Sequence, residues 1–429
     1  MIPGAAIATA PLSGATRWRK RTYARLALLV LFLALPYVPG LASDAGRSLL
    51  TQMAIAAVFA LSFNVLFGET GLLSFGHAIY FGLGGYAAIH LMRAINHGLP
   101  LPMVLVPLAG AAAGLAAGLV FGSFTTRKAG TIFALISLGL GELVYAATFM
   151  VPSVFGGEEG ITASRTRAPL DFGIGLASQL AVYYTVIAWA VLAAVLMYAF
   201  VRTPAGRMCN AVRDNAERVE FVGYRARNVR LIAVAVAGLF AGLAGGLHAI
   251  NYEIVGADAV GAQRSGTVLI MACIGGVRHF GGPVLGAIVI TWLQSSLSDY
   301  TSAWLLYLGA FFMLVILYAP SGLAGVIVSQ RIMLASPARA ALLRAYAAVA
   351  APLALIAFGT VLLVEMSYRL STHAELGTRM RILGIPLDAA SAWPWIGAVV
   401  SLIAGGLLFR AVRPRLGAAL QSVLSVTAP

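Results

Sequence analysis

The sequence predicts an all-α fold: a polytopic helical membrane protein with about ten core transmembrane segments, broken helices among them, and about two more at the C-terminal end. Three observations carry this expectation. Of the 429 residues 60% are hydrophobic and only 10% charged, against about 25% charged in soluble domains, so lipid is the expected solvent. Apolar runs of about 17–25 residues, the length a helix needs to cross a hydrocarbon core of roughly 30 Å, recur along the whole chain. Glycine is abundant, with 47 residues, and the strings AGAAAGLAAG and GLFAGLAGG are written for close helix contact through small residues.

Residues 1–25 form a basic N-terminus with Arg17, Arg19, Lys20, Arg21 and Arg25. An apolar run follows, as in a secretory signal, but no small-residue cleavage site does, so 26–42 is read as a first anchor. The next segments are 49–67, 76–92, 102–122, 130–150, 180–200, 230–250, 265–277, 283–297 and 303–319, and then 346–364 and 394–410. With the N-terminus inside, most of the 29 basic residues face the cytoplasm, including Arg127, Lys128, Arg278, Arg331, Arg339 and Arg344. That obeys the rule that Lys and Arg stay inside, and it puts both termini in the cytoplasm. The loops GGEEGITASRTRAPLDFG and NYEIVGADAVGAQ then lie outside with Glu158, Glu159, Asp171, Glu253 and Asp258, as docking surfaces for a soluble partner or as ordinary solvated loops.

Residues 202–230 hold seven Arg and three acids. At about 2.5 kcal/mol or more per charge, burying ten of them in lipid costs on the order of 25 kcal/mol, so this loop is no span. Its punctuation is nonetheless helical. Thr203 and Pro204 read as an N-cap and first helical residue, Asp214 with Glu217 as a capping box, and Gly223 as a C-terminal cap. Two short helices are expected, about 204–213 and 215–222. On the second, Val219 and Val222 fall on one side near Ala216, while Glu217, Arg218 and Glu220 point elsewhere. Such a helix suits a partner groove on a nucleotide-hydrolysing subunit; the alternative is a positive loop that only sets topology.

Two stretches combine glycine with polar residues. Asn64–Tyr86 holds Asn64, Glu69, Ser74 and His77 with Gly68, Gly71 and Gly76, and Ala272–Ile290 holds Gly275, Gly276, Arg278, Gly281, Gly282 and Pro283. This density favours broken helices, which are tolerated at membrane depth only where buried in protein or lining a cavity, so each is a candidate pathway wall. Glu142 is an ionisable residue inside a span and so a functional candidate, or else a structural hydrogen-bonding group.

Several function classes are excluded or weakened. The formal net charge of +14 comes from arginines beside apolar spans, not from a nucleic-acid-binding patch. Cys209 and Cys273 have neither disulfide-framework nor metal spacing, and no metal site or resident cofactor is expected. No phosphate-cradling GxxxxGK[ST] or convergent catalytic set occurs, so the chain is not expected to be an enzyme.

The pieces LSFNVLFGETGLLSFGHAIYFGLGGYAA, ISLGLGELV, FGGEEGIT, TPAGRMCNAVRDNAERVEFVGY, VAGLFAGLAGGLHA, IGGVRHFGGPVLGA and YAPSGLAG, in this order over about residues 26–325, resemble the permeases of high-affinity branched-chain amino acid ABC importers, of LivM-like type. The resemblance implies a bacterial inner-membrane half-channel that pairs with a second permease, two cytoplasmic ATPases consuming ATP with Mg, and a periplasmic binding protein. It matches Arg213, Asp214, Glu217, Arg218, Val219, Glu220, Val222 and Gly223 to an ATPase-coupling segment. It also sets Asn64, Gly71, Ser74, Gly76, His77, Glu142, Gly275, Gly276, Gly281 and Pro283 along the translocation path. Residues 326–429 lie beyond the resemblance, as a basic connector and about two apolar segments. An ATP-independent transporter or channel is the alternative function; urea, amides and aromatic or carboxylic acids are alternative cargoes.

Overall fold

The computed structural model describes residues 32, 34–167, 175–334, 339–372, 379–382 and 385–427. Residues 26–31 and 33 of the expected anchor at 26–42, the basic residues before it and Asp171 lie outside the described residues. The chain divides into two compact units, Met1–Leu269 and Ile270–Pro429. The division between them falls at Leu269, inside a helix.

The first unit contains α1 (Asp44–Phe67), α2 (Ala78–Asn96), α3 (Val106–Thr125), α4 (Gly130–Met150), the single turn α5 (Pro152–Phe155), α6 (Gln179–Arg202), α7 (Pro204–Asp214), α8 (Ala216–Phe221) and α9 (Ala226–Tyr252). Helix α10 (Ala262–Gly275) begins in it. The second unit holds α11 (Gly282–Tyr300), α12 (Trp304–Tyr318), α13 (Gly322–Leu334), α14 (Arg339–Thr372) and α15 (Ala392–Thr427). Two small antiparallel pairs interrupt the all-α pattern. Strands β1 (Ile161–Thr162) and β2 (Ile254–Val255) join the two loops read as external, and β3 (Arg379–Ile382) with β4 (Ile385–Asp388) connects α14 to α15.

Among the described residues seven helices are long and apolar enough to cross a membrane: α1, α3 with its preceding turn, α4, α6, α9, α14 and α15. The pair α12 and α13, bent by 52°, makes an eighth when taken as one span. The segments expected at 76–92, 265–277 and 283–297 are the helices α2, α10 and α11, of 19, 14 and 19 residues, and none is among those seven. Helix α2 is mostly buried in protein and carries Arg93 in its last turn, so its composition answers to neighbouring side chains and not to lipid.

The centre of the first unit is α9 packed on α3, with α1 and α2 against the same helix. Gly110, Gly114 and Gly118 of α3 face Gly238, Gly242 and Gly246 of α9 so closely that a methyl on Gly242 would overlap the Gly110 carbonyl oxygen, and one on Gly114 that of Gly238. The two small-residue strings singled out in the sequence are therefore partners. In lipid, where apolar burial gives helices no preference for one another, backbone approach of this kind supplies the dispersion contact that holds them together.

In the second unit α14 and α15 pair along their length. Gly359 fits against Ala398 and Leu402, Gly405 against Pro352 and Ile356, and Leu362, Met366, Ala389 and Ala398 form a small core. The Tyr307 hydroxyl of α12 donates to Glu365 at 3.0 Å, and the Gln330 amide of α13 donates to Tyr346 at 2.7 Å. The C-terminal extension is thus fastened to α12 and α13 by polar groups as well as by apolar packing.

Candidate functional site

Helix α1 ends at Phe67, and the chain runs irregularly through Gly68–His77 before α2 begins. Gly71 has φ +74°, a left-handed conformation that glycine adopts without strain. Apart from the exposed Gly71, this break is largely buried, and it is tied on several sides. The Ser62 hydroxyl of α1 is 2.9 Å from the His77 Nε2, and the ring packs among Phe59, Phe63 and Tyr80. The Phe75 amide donates to the Ser137 hydroxyl of α4 at 3.1 Å, and the Ala78 amide to the Ser265 hydroxyl of α10 at 2.9 Å. Gly76 lies so close to the Ser137 carbonyl that no side chain fits there. Asn64 and Ser74 are buried in the same region.

Helix α7 forms the other wall. Its side chains Cys209, Asn210 and Arg213 share one face by helical spacing. The Asn210 amide donates to the Glu69 carboxylate at 2.7 Å, the Arg213 guanidinium donates to the Gly68 carbonyl, and the Cys209 thiol meets the Thr70 side chain. Gly71 sits under Arg213: a Cβ there would come within 2.8 Å of the arginine Cγ. Burial pushes the Cys209 thiol above its usual value, so it stays protonated near neutral pH. Cys209 in the folded protein is expected to react with a maleimide at least about ten-fold more slowly than a free thiol. Labelling at the free-thiol rate would show that this face of α7 is open.

The ends of α7 follow the sequence reading, with the Thr203 hydroxyl accepting from the Gly206 amide and Pro204 in first position. The start of α8 does not. Asp214 is still the last residue of α7, and Asn215, at φ −161° and ψ 104°, is the N-cap whose side chain accepts from the Arg218 amide at 2.9 Å. The Asp214–Glu217 capping box is therefore absent, since a cap needs extended backbone and Asp214 is helical. Gly223, at φ +92°, ends α8 as expected. The apolar stripe splits as well: Val219 is buried, whereas Val222 is 69% exposed beside Phe221 at 90% and Tyr224 at 52%. Glu217, Arg218 and Glu220 are exposed around them.

Glu142 is not brought to the break. Its neighbour Gly141 approaches Gly76, but Glu142 lies on the opposite, open face of α4 with Leu135, Leu143 and Met150. The second glycine-rich break belongs to the second unit. There Gly275 abuts the Gly282 carbonyl, Gly276 at φ +100° abuts Ser321 and Gly322, and Gly282 and Pro283 open α11 after Gly281. The segment YAPSGLAG is thus the packing partner of that break.

On the loops read as external, β1 and β2 join the two acidic stretches, and the Arg165 amide donates to Glu253 at 2.7 Å. A cleft of about 750 Å³ beside them is lined by Arg93, His97, Ser164, Arg167 and Glu253 among others.

A family model described as "Branched-chain amino acid transport system / permease component" matches residues 47–321, from α1 to the turn between α12 and α13. The chain belongs to this family. The permease is similar to the high-affinity branched-chain amino acid transport system permease protein LivM of Escherichia coli (strain K12), with 26% identity over 322 residues, covering 70% of this chain and 73% of the relative. It is also similar to a probable branched-chain amino acid transport permease protein LivH of Methanocaldococcus jannaschii, with 26% identity over 307 residues, covering 67% and 95%. No solved structure matches the permease. It is a multi-pass membrane protein and a transport subunit. Sequence reasoning named Glu69 within the first glycine-rich stretch but missed its partner Asn210, and it missed Ser137 and Ser265 as parts of the site. The shared face of residues 209, 210 and 213 was the one available signal.

Proposed function

We propose that this permease forms half of the inner-membrane pathway of an ATP-driven importer for branched-chain or related small amino acids. In this reading it pairs with a second permease, two cytoplasmic ATPases bind it from inside, and a periplasmic binding protein delivers substrate from outside, with both termini cytoplasmic. The observation that carries the reading is the junction of a short exposed helix, α8, through α7 to a buried break in the spans. A transporter with no nucleotide site of its own needs such a junction to receive motion from an ATPase.

Residues 213–223 are the ATPase-coupling segment in this proposal. Phe221, Val222 and Tyr224 supply apolar contact, with Glu217, Arg218 and Glu220 forming a charged rim. The breaks at Gly71–His77 and Gly275–Pro283 border the path. Glu142 fits a path or permease–permease surface, because an ionisable group facing lipid at mid-span costs about 2.5–3.5 kcal/mol. The loops around β1 and β2 receive the binding protein.

The test is uptake of radiolabelled L-leucine into proteoliposomes holding the whole transporter with its binding protein. Uptake that requires ATP hydrolysis and survives an ionophore is expected. Uptake that continues without ATP and collapses with the ionophore would establish an ATP-independent transporter instead. Competition by urea, amides or aromatic acids, but not by leucine or valine, would reassign the cargo.

A further inference from the structure

We propose that Glu69 and Asn210 form a positioning pair, with Arg213 beside it, that carries movement of α7 into the buried break at Gly68–His77. This rests on the coupling role given above to α8, and it assigns a task to the contacts between α7 and the break.

The argument starts from the end of α1. The last carbonyls of a helix have no intrahelical donor and carry the negative end of its dipole. The Arg213 guanidinium fills that need at Gly68. One residue on, Glu69 is half-buried and makes no ion pair among the described residues; its hydrogen-bond donor is the Asn210 amide. A carboxylate held this way is directional, because an acceptor paired to one amide resists sliding along α7. Cys209 against Thr70 adds a third point of contact, and Gly71 leaves room for the arginine stem. The four residues Gly68–Gly71 are therefore held by consecutive turns of one helix.

The other end of the break is held with equal definition. Phe75, His77 and Ala78 are bonded to Ser137 of α4, Ser62 of α1 and Ser265 of α10. On the opposite side, α7 continues into α8 across the single residue Asn215. A displacement of α8 thus reaches α4 and α10 through one short run of backbone whose two ends are anchored by named hydrogen bonds. The contiguous path is α8, α7, Glu69, the break, then Ser137 and Ser265. Coupling along this path appears as interaction energy between its members.

The experiment uses the whole transporter in proteoliposomes with its binding protein and radiolabelled L-leucine, and reads ATP hydrolysed per leucine imported. Glu69→Ala and Asn210→Ala are each expected to raise this ratio about five-fold, and the double variant no further than either alone, as contacting residues behave in a mutant cycle. Glu69→Gln, which keeps an acceptor for Asn210, and the swap of Glu69→Asn with Asn210→Glu should return the ratio toward the original. Single variants with an unchanged ratio, or a double variant whose effect is the product of the singles, would overturn the pair. A second measurement needs no assembly: Asn210→Ala should speed maleimide labelling of Cys209 in the isolated permease, and unchanged protection would also overturn it. Failure of the coupling role itself has a different signature, namely ATPases that still copurify when α8 is altered.

Discussion

Phe221→Asp together with Val222→Asp is expected to strip the ATPases from the solubilised transporter. Both side chains are exposed at the end of α8, and burying one Phe and one Val against a partner contributes about 1.5–3 kcal/mol each. Losing both and adding two charges to be desolvated should weaken ATPase binding by more than about 100-fold. Binding of the ATPase to nanodiscs holding the permease measures this directly. The contacts to the break come from Asn210 and Arg213, not from Phe221 or Val222, so insertion and the yield of folded permease should hold. Binding within a few-fold of the original would remove α8 from the ATPase interface.

Gly242→Leu should be the most damaging single change to the fold. The site of a side chain at 242 is taken by the Gly110 carbonyl and the Gly114 Cα, both backbone, so neither can turn aside. Overpacking of this kind costs about 1–3 kcal/mol and sometimes more, and here it separates α3 from α9 at the centre of the first unit. The spans stay apolar, so the protein should still insert. The purified variant should lose its monodisperse elution and melt roughly 5–10 °C lower. Gly406→Leu on α15, with nothing within 4 Å of its Cβ position, is the matching control and should melt like the original. Equal melting of the two variants would show that the α3–α9 contact does not limit stability.

The two breaks illustrate what sequence can carry. Clusters of Gly, Pro and buried polar residues at Asn64–Tyr86 and Ala272–Ile290 announced interrupted helices, because glycine and proline weaken a helix when they fall in its interior. Which neighbours would satisfy the freed backbone was not announced: Phe75 finds Ser137 and Ala78 finds Ser265. The start of α8 shows a finer limit. Asp214 and Asn215 are both good N-caps by residue type, and only the backbone angles choose Asn215. The expected pairing of Val219 with Val222 dissolves at the other end: α8 stops at Phe221, so Val222 is its C-cap outside the helical spacing, exposed while Val219 is buried.

Composition by itself determined that this protein lives in lipid, where its longest apolar helices run, and that residues 202–230 cannot span. Each of these depends on the transfer free energy or backbone preference of residues near one another in the chain. Tertiary structure alone decided that the glycines of α3 meet those of α9, that Asn210 reaches Glu69, and that Glu142 turns away from the break. Those facts depend on how helices far apart in sequence cross and rotate. A rotation of one residue, about 100° around a helix, would direct each of these side chains at a different neighbour.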